Sequence, residues 1–151
     1  MEYPPVLEDT IKVAVLSPLI HLAGLLLAPY HIKSEKTVSI SAVDEGITIE
    51  GKIDVLVLQE QLWLIVIESK QPTFSIEAGL AQILSYMLAR PNPERPAFGM
   101  ITTGGSFVFI KLVDNQYSLS RVFELRNPGN ELLTVLAILK RLAKLASTEV
   151  M

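Results

Sequence analysis

Residues 51–70 read GKIDVLVLQEQLWLIVIESK. Two apolar runs, Ile53–Leu58 and Leu62–Ile67, flank the polar triplet Gln59-Glu60-Gln61. The second run is apolar without alternation, the pattern of a strand covered on both faces. The triplet is short enough for a hairpin, so the runs should be neighbours in one sheet. Asp54 interrupts the first run, and Glu68 and Lys70 end the second. Acids and lysines are rarely buried without a partner or a metal. Residues two apart on a strand share a face, so Glu68 and Lys70 project together, roughly 7 Å apart along the chain. The hairpin brings Asp54 beside Glu68.

Two chemistries suit that trio. A buried acid–lysine salt bridge is one, although such bridges often bring little net stability. A hard-cation site is the other. Mg²⁺ takes one or two carboxylates, completing its shell with water and phosphate oxygens. A lysine beside it can hold the attacking water and offset charge developing on phosphorus.

Working outward, Asp9 or Thr10 can cap a helix running to about Leu27, which Pro29 stops and Pro18 is placed to kink. Tyr30–Ala42 alternates polar and apolar residues, as a half-exposed strand does. The turn signal Asp44-Glu45-Gly46 leads to a strand over Ile47–Leu58, with Gly51 a candidate bulge. Gln71-Pro72 ends the central strand Leu62–Ser69. Ser75 caps a helix through about Ala89, with Glu77 in its first turn. Arg90–Pro96 holds three prolines and reads as a loop. Ala97–Thr102 and Ser106–Leu112 are strands separated by Gly104-Gly105, and Tyr117–Phe123 is a short edge strand. Asn127-Pro128-Gly129 precedes a final amphipathic helix, Glu131–Ala146. The order α-β-β-β-α-β-β-(β)-α describes one α/β domain over residues 1–151, a mixed sheet flanked by helices.

Composition narrows the setting. Half the residues are hydrophobic and mean hydropathy is +0.40, a surplus that points to a homo-oligomer. The absence of cysteine excludes disulfides and thiolate metal sites. His21 and His31 have no second ligand at zinc spacing. With no signal-peptide pattern, the expected compartment is cytoplasmic. The apolar run Val13–Ala28 is too short to span a bilayer and contains Pro18 and His21, so no membrane segment is expected. A net charge of −3 argues against strong unaided DNA binding, which depends on neutralising phosphates. Lys140, Arg141 and Lys144 form a basic edge on the last helix, read as a solvated face. Trp63 is read as packing.

Gly51-Lys52-Ile53-Asp54 followed by Val66-Ile67-Glu68-Ser69-Lys70 resembles the PD-(D/E)xK motif of restriction-endonuclease-like nucleases. Downstream, Gln82-Ile83-Leu84-Ser85-Tyr86 is similar to the Q-x-x-x-Y motif of the nuclease domain of type I restriction-enzyme motor subunits (HsdR) and of RecB-like nucleases. Ser17-Pro18-Leu19-Ile20 through Gly24 resembles the first helix of that family. Ile101-Thr102-Thr103-Gly104 resembles its Thr-Asn-Gly strand and turn, and Phe107–Ile110 its following strand. The resemblance covers about residues 8–112. It implies Mg²⁺- or Mn²⁺-dependent hydrolysis of DNA, with Asp54 and Glu68 as metal ligands and catalytic residues. The Ser69 carbonyl would be a further ligand, Lys70 the catalytic lysine, and Gln82 and Tyr86 would orient substrate or Lys70. Glu8 and Glu35 compete for a further acid. Two departures stand out: Ile53 replaces the nominal proline, and Thr103 stands where asparagine is common. No Walker-type phosphate loop occurs in these residues, so ATP-driven translocation is not expected of them. A non-catalytic or partner-dependent DNA-binding or assembly module with the same fold is the alternative. An enzyme part that gains DNA affinity only with a motor or DNA-binding partner protein is a third option.

Overall fold

The computed structural model describes residues 12–42, 46–71, 75–125 and 131–148. Glu8, the Asp9/Thr10 cap, Asp44-Glu45, Pro72 and Asn127-Pro128-Gly129 lie outside the described residues. A π-helical turn, Lys12–Leu16, leads into α1 (Ser17–Leu22). Three strands follow, β1 (His31–Ala42), β2 (Ile47–Gln59) and β3 (Leu62–Ser69), and then α2 (Ile76–Leu88). The chain continues through β4 (Ala97–Thr102), β5 (Ser106–Val113), β6 (Gln116–Leu119), β7 (Phe123–Glu124) and α3 (Glu131–Thr148).

The sheet runs β1-β2-β3-β4-β5-β6, with β7 also pairing β5. Every pairing is antiparallel except β3–β4, which α2 joins by a crossover. The doubly covered reading of Leu62–Ser69 holds, because separate apolar clusters form on the two sheet faces. One packs Ile65, Ile67, Phe98, Met100, Phe107 and Phe109 against α1 and α3. The other packs Leu56, Val66, Ile101 and Ile110 against Ile83, Tyr86 and Met87 of α2, with Trp63 at its margin. The site belongs to the α2 face.

Three local expectations are corrected. The first helix ends at Leu22, well before Pro29. Gly24 adopts φ +77°, its N–H donates to the His21 carbonyl (3.0 Å), and the Leu25 N–H donates to that of Ile20 (3.2 Å). This is a glycine-terminated Schellman ending. Pro18 stands just inside α1, where the π-helical turn changes to α winding.

Gly51 is not a bulge. Its pairing with Val38 continues an unbroken register through Thr37↔Lys52 and Ser39↔Glu50. The irregularity in β2–β3 lies between Val57 and Leu58, where Leu64 is the extra residue on β3.

The single edge strand over Tyr117–Phe123 is two pieces. β6 pairs Leu119 with Ile110 and β7 pairs Phe123 with Phe107, leaving one surplus residue between the registers. Ser120 fills the break: its N–H donates to the Phe109 carbonyl (2.9 Å), and its Oγ accepts the Phe109 N–H (2.9 Å).

Candidate functional site

The β2–β3 ladder pairs in register as far as Val55↔Ile67. Continuing it would set Asp54 opposite Glu68, and there side chains replace the backbone pairing. The Asp54 N–H donates to Glu68 Oε2 at 2.7 Å, and the Ser69 N–H donates to Asp54 Oδ2 at 2.9 Å. The Ser69 hydroxyl also reaches Asp54 Oδ2, at 3.4 Å. Each strand's carboxylate thus takes an N–H of the other strand, which fixes one oxygen of each acid. Charge-assisted bonds of this kind are stronger than neutral ones.

Local backbone explains the departure. On β2, Ile53 and Leu56 both pack in the α2-side cluster, while Val55 and Val57 pack on the other face. Strict alternation is therefore interrupted at Asp54. Across the β1–β2 register, the residue facing Asp54 is Glu35, which has φ +53°. On the far side, the Lys70 N–H turns to the Thr102 carbonyl of β4 at 2.8 Å.

The trio meets in one cleft of about 460 Å³ between the β1–β2 hairpin and α2. Asp54, Glu68, Lys70, Gln82 and Tyr86 all line it. Glu68 is only 1% exposed and Ser69 fully buried, whereas Asp54 and Lys70 are half-buried. The Lys70 stem runs past Gly79 of α2, where an added Cβ would lie 3.7 Å from its Cγ. On α2, Gln82 Nε2 donates to the Tyr86 hydroxyl at 2.9 Å. Tyr86 is buried, and burial pushes its hydroxyl above the ordinary tyrosine pKa. The negative charges of Glu68 and Asp54 push the same way, while hydrogen bonds from Gln82 and the Lys52 main chain oppose them.

Glu35 is exposed on β1, and Glu8 lies outside the described residues. Among the described residues no group of three His, Cys, Asp or Glu side chains converges as a metal cage. Two oxygen-donor acids without histidine or thiolate suit a hard cation that keeps water and phosphate oxygens in its shell. They do not suit a structural zinc site.

Glu50 and Lys52 also line the cleft, and neither stood out in the motif. With alternation interrupted at Asp54, two-residue spacing along the strand gave no signal for them. A larger hollow of about 750 Å³ lies at the opposite end of β3, between the β2–β3 turn and the α2–β4 loop. Its charged groups, Glu60, Glu94 and Arg95, stand on connecting segments rather than on apolar strands. Lys140, Arg141 and Lys144 belong to α3, which packs on the sheet face opposite the cleft.

No family model matches this chain, and no curated protein does. Among solved structures it is similar to the fragment structure of a putative HsdR subunit of a type I restriction enzyme from Vibrio vulnificus YJ016. The TM-score is 0.55 and the identity 15%, over 89% of this chain and 26% of that one. This chain therefore spans about a quarter of that fragment's length. At that identity the likeness is one of fold, and the fold is the mixed α/β, restriction-endonuclease-like architecture expected from the sequence. Among the described residues no helix is long and apolar enough to cross a membrane.

Proposed function

We propose that this chain is a phosphodiesterase acting on DNA that depends on Mg²⁺ or Mn²⁺. One observation carries the reading: Asp54 and Glu68 are brought together where the β2–β3 ladder gives way, beside Lys70, in an open cleft. Two acids so placed on apolar strands repel one another, and a divalent cation between them would offset that repulsion. A fold shared with an HsdR fragment supports the reading.

When bound, the cation would supply Lewis acidity to phosphoryl oxygens and lower the pKa of a coordinated water. Asp54 and Glu68 would hold it, with the Ser69 carbonyl as a further ligand. Lys70 orients the attacking water and offsets charge developing on the phosphoryl group. As the water oxygen bonds to phosphorus it gives up a proton to solvent, the bond from phosphorus to the ester oxygen opposite breaks, and that oxygen takes up a proton from solvent.

Purified protein incubated with plasmid and single-stranded DNA should cleave them when Mg²⁺ or Mn²⁺ is added, and Asp54→Ala should abolish the cut. Equal activity in the two proteins would defeat the proposal.

The second reading is an assembly module, and exposed leucines favour it. Leu22, Leu26 and Leu27 are 59%, 53% and 69% exposed on α1 and the turn after it. They are also the surface on which a homo-oligomer or a motor partner would close. Gel filtration showing a defined oligomer, with no cleavage and no cation uptake, would favour this reading over the first. The net charge of −3 fits a protein whose affinity for DNA comes from such a cytoplasmic partner.

A further inference from the structure

The ring of Tyr86 lies on the backbone of β2. A Cβ added at Gly51 would come within 2.6 Å of the Tyr86 hydroxyl oxygen and 2.7 Å of Cε1. Gly51 has an unbroken register and no positive φ, so what requires glycine there is this contact. The hydroxyl it admits accepts from Gln82 Nε2 at 2.9 Å and lies against the Gly51 backbone. Tyr86 itself is 3% exposed. Its ring and oxygen therefore press α2 onto β2 three residues before Asp54.

Among the described residues no backbone pairing ties β2 to β3 beyond Val55↔Ile67, and β1 on its other side is the edge of the sheet. The stretch carrying Asp54 is thus held on one side by the ladder to β1, on the other by the bonds between Asp54, Glu68 and Ser69, and from above by Tyr86 of α2. We infer that Tyr86 is a positioning residue: its hydroxyl clamps Gly51–Lys52 to α2 and so sets where Asp54 stands relative to Glu68. This rests on the reading of Asp54 and Glu68 as a cation pair. It gives Tyr86 a role distinct from substrate contact, and it gives Gln82 the task of holding the tyrosine oxygen.

Tyr86→Phe is the test, because it keeps the ring on Gly51 and removes only the oxygen. Hydrogen–deuterium exchange should quicken in peptides covering residues 50–55 and stay unchanged over β4 and β5. In calorimetric titration with Mn²⁺ the variant should bind about fivefold more weakly, the fold-change matching loss of one net hydrogen bond. Gly51→Ala should quicken the same peptides in the wild-type background and add nothing in a Tyr86→Leu background, where the ring is gone. Unchanged exchange over 50–55 in Tyr86→Phe would overturn the clamp. A Phe variant that melts earlier yet binds Mn²⁺ as the wild type does would also overturn it, reducing Tyr86 to packing. If the wild type takes up no Mn²⁺, the cation reading falls, and the exchange comparison still decides whether Tyr86 pins β2.

Discussion

Gly99→Ala should loosen α2 from the sheet. Gly99 lies on β4 opposite Val66, beneath the helix that carries Gln82 and Tyr86. A Cβ there would come within 2.9 Å of Met87 Sδ, 3.1 Å of Ile83 Cδ1 and 3.3 Å of the Val66 carbonyl oxygen. Met87 can swing its sulfur aside, but Ile83 and Met87 are fully buried, and the carbonyl belongs to the central strand. Overpacking of this kind costs about 1–3 kcal/mol. For a chain of this size, roughly 2–4 °C of Tm accompanies each kcal/mol, so a fall of about 4–8 °C is expected near the middle of that range. Gly79→Ala on α2 is the internal control. Its Cβ would meet nothing nearer than 3.7 Å, and replacing a helical glycine with alanine is worth roughly 0.5–1 kcal/mol. Its Tm should rise. Thermal unfolding followed by circular dichroism measures both. A Gly99→Ala protein as stable as the wild type, or a Gly79→Ala protein less stable than it, would refute the account of how α2 seats on the sheet.

Three further outcomes follow from the same geometry. Mn²⁺ at a hundred times its Kd should stabilise the wild type by about 2.7 kcal/mol, and melting curves of Asp54→Ala should not respond. Arg90→Ala should cost about 3 kcal/mol, since the buried guanidinium donates to the carbonyls of Met87, Pro93 and Arg95; denaturant titration measures the loss, and Arg90→Lys should not restore it. Because the folded protein holds the Tyr86 hydroxyl protonated above its ordinary range, the folded state binds more protons than the unfolded one as pH passes about 10, and stability falls there. Absorbance of tyrosinate should show one of the four tyrosines titrating late, and that component should vanish in Tyr86→Phe.

What could be read from the sequence was local in origin. Charges on the runs Ile53–Leu58 and Leu62–Ile67 violate an apolar pattern, so Asp54 and Glu68 were visible as a pair, and the hairpin between them fixed their adjacency. Features that depend on contacts between distant residues were not visible. Gly51 looked like a bulge because glycine in a strand usually marks one. Its actual reason is Tyr86, thirty-five positions later, packed on its backbone. Pro29 was the louder stop signal, yet Gly24 ends the helix earlier by offering a left-handed residue for two carbonyls to be satisfied. Gln82 and Tyr86 were legible as residues one helical turn apart, but their spacing says nothing of depth, and Tyr86 is buried while Gln82 stays exposed. The reciprocal bonds between the two acids and the opposing N–H groups had no sequence signal, because they exist only where the ladder stops.

The most direct measurement is anomalous scattering from crystals soaked in Mn²⁺. A peak is expected between the carboxylates of Asp54 and Glu68, and it should be lost in Asp54→Ala. A well-diffracting soaked crystal with manganese bound elsewhere and none between those two acids would contradict that expectation.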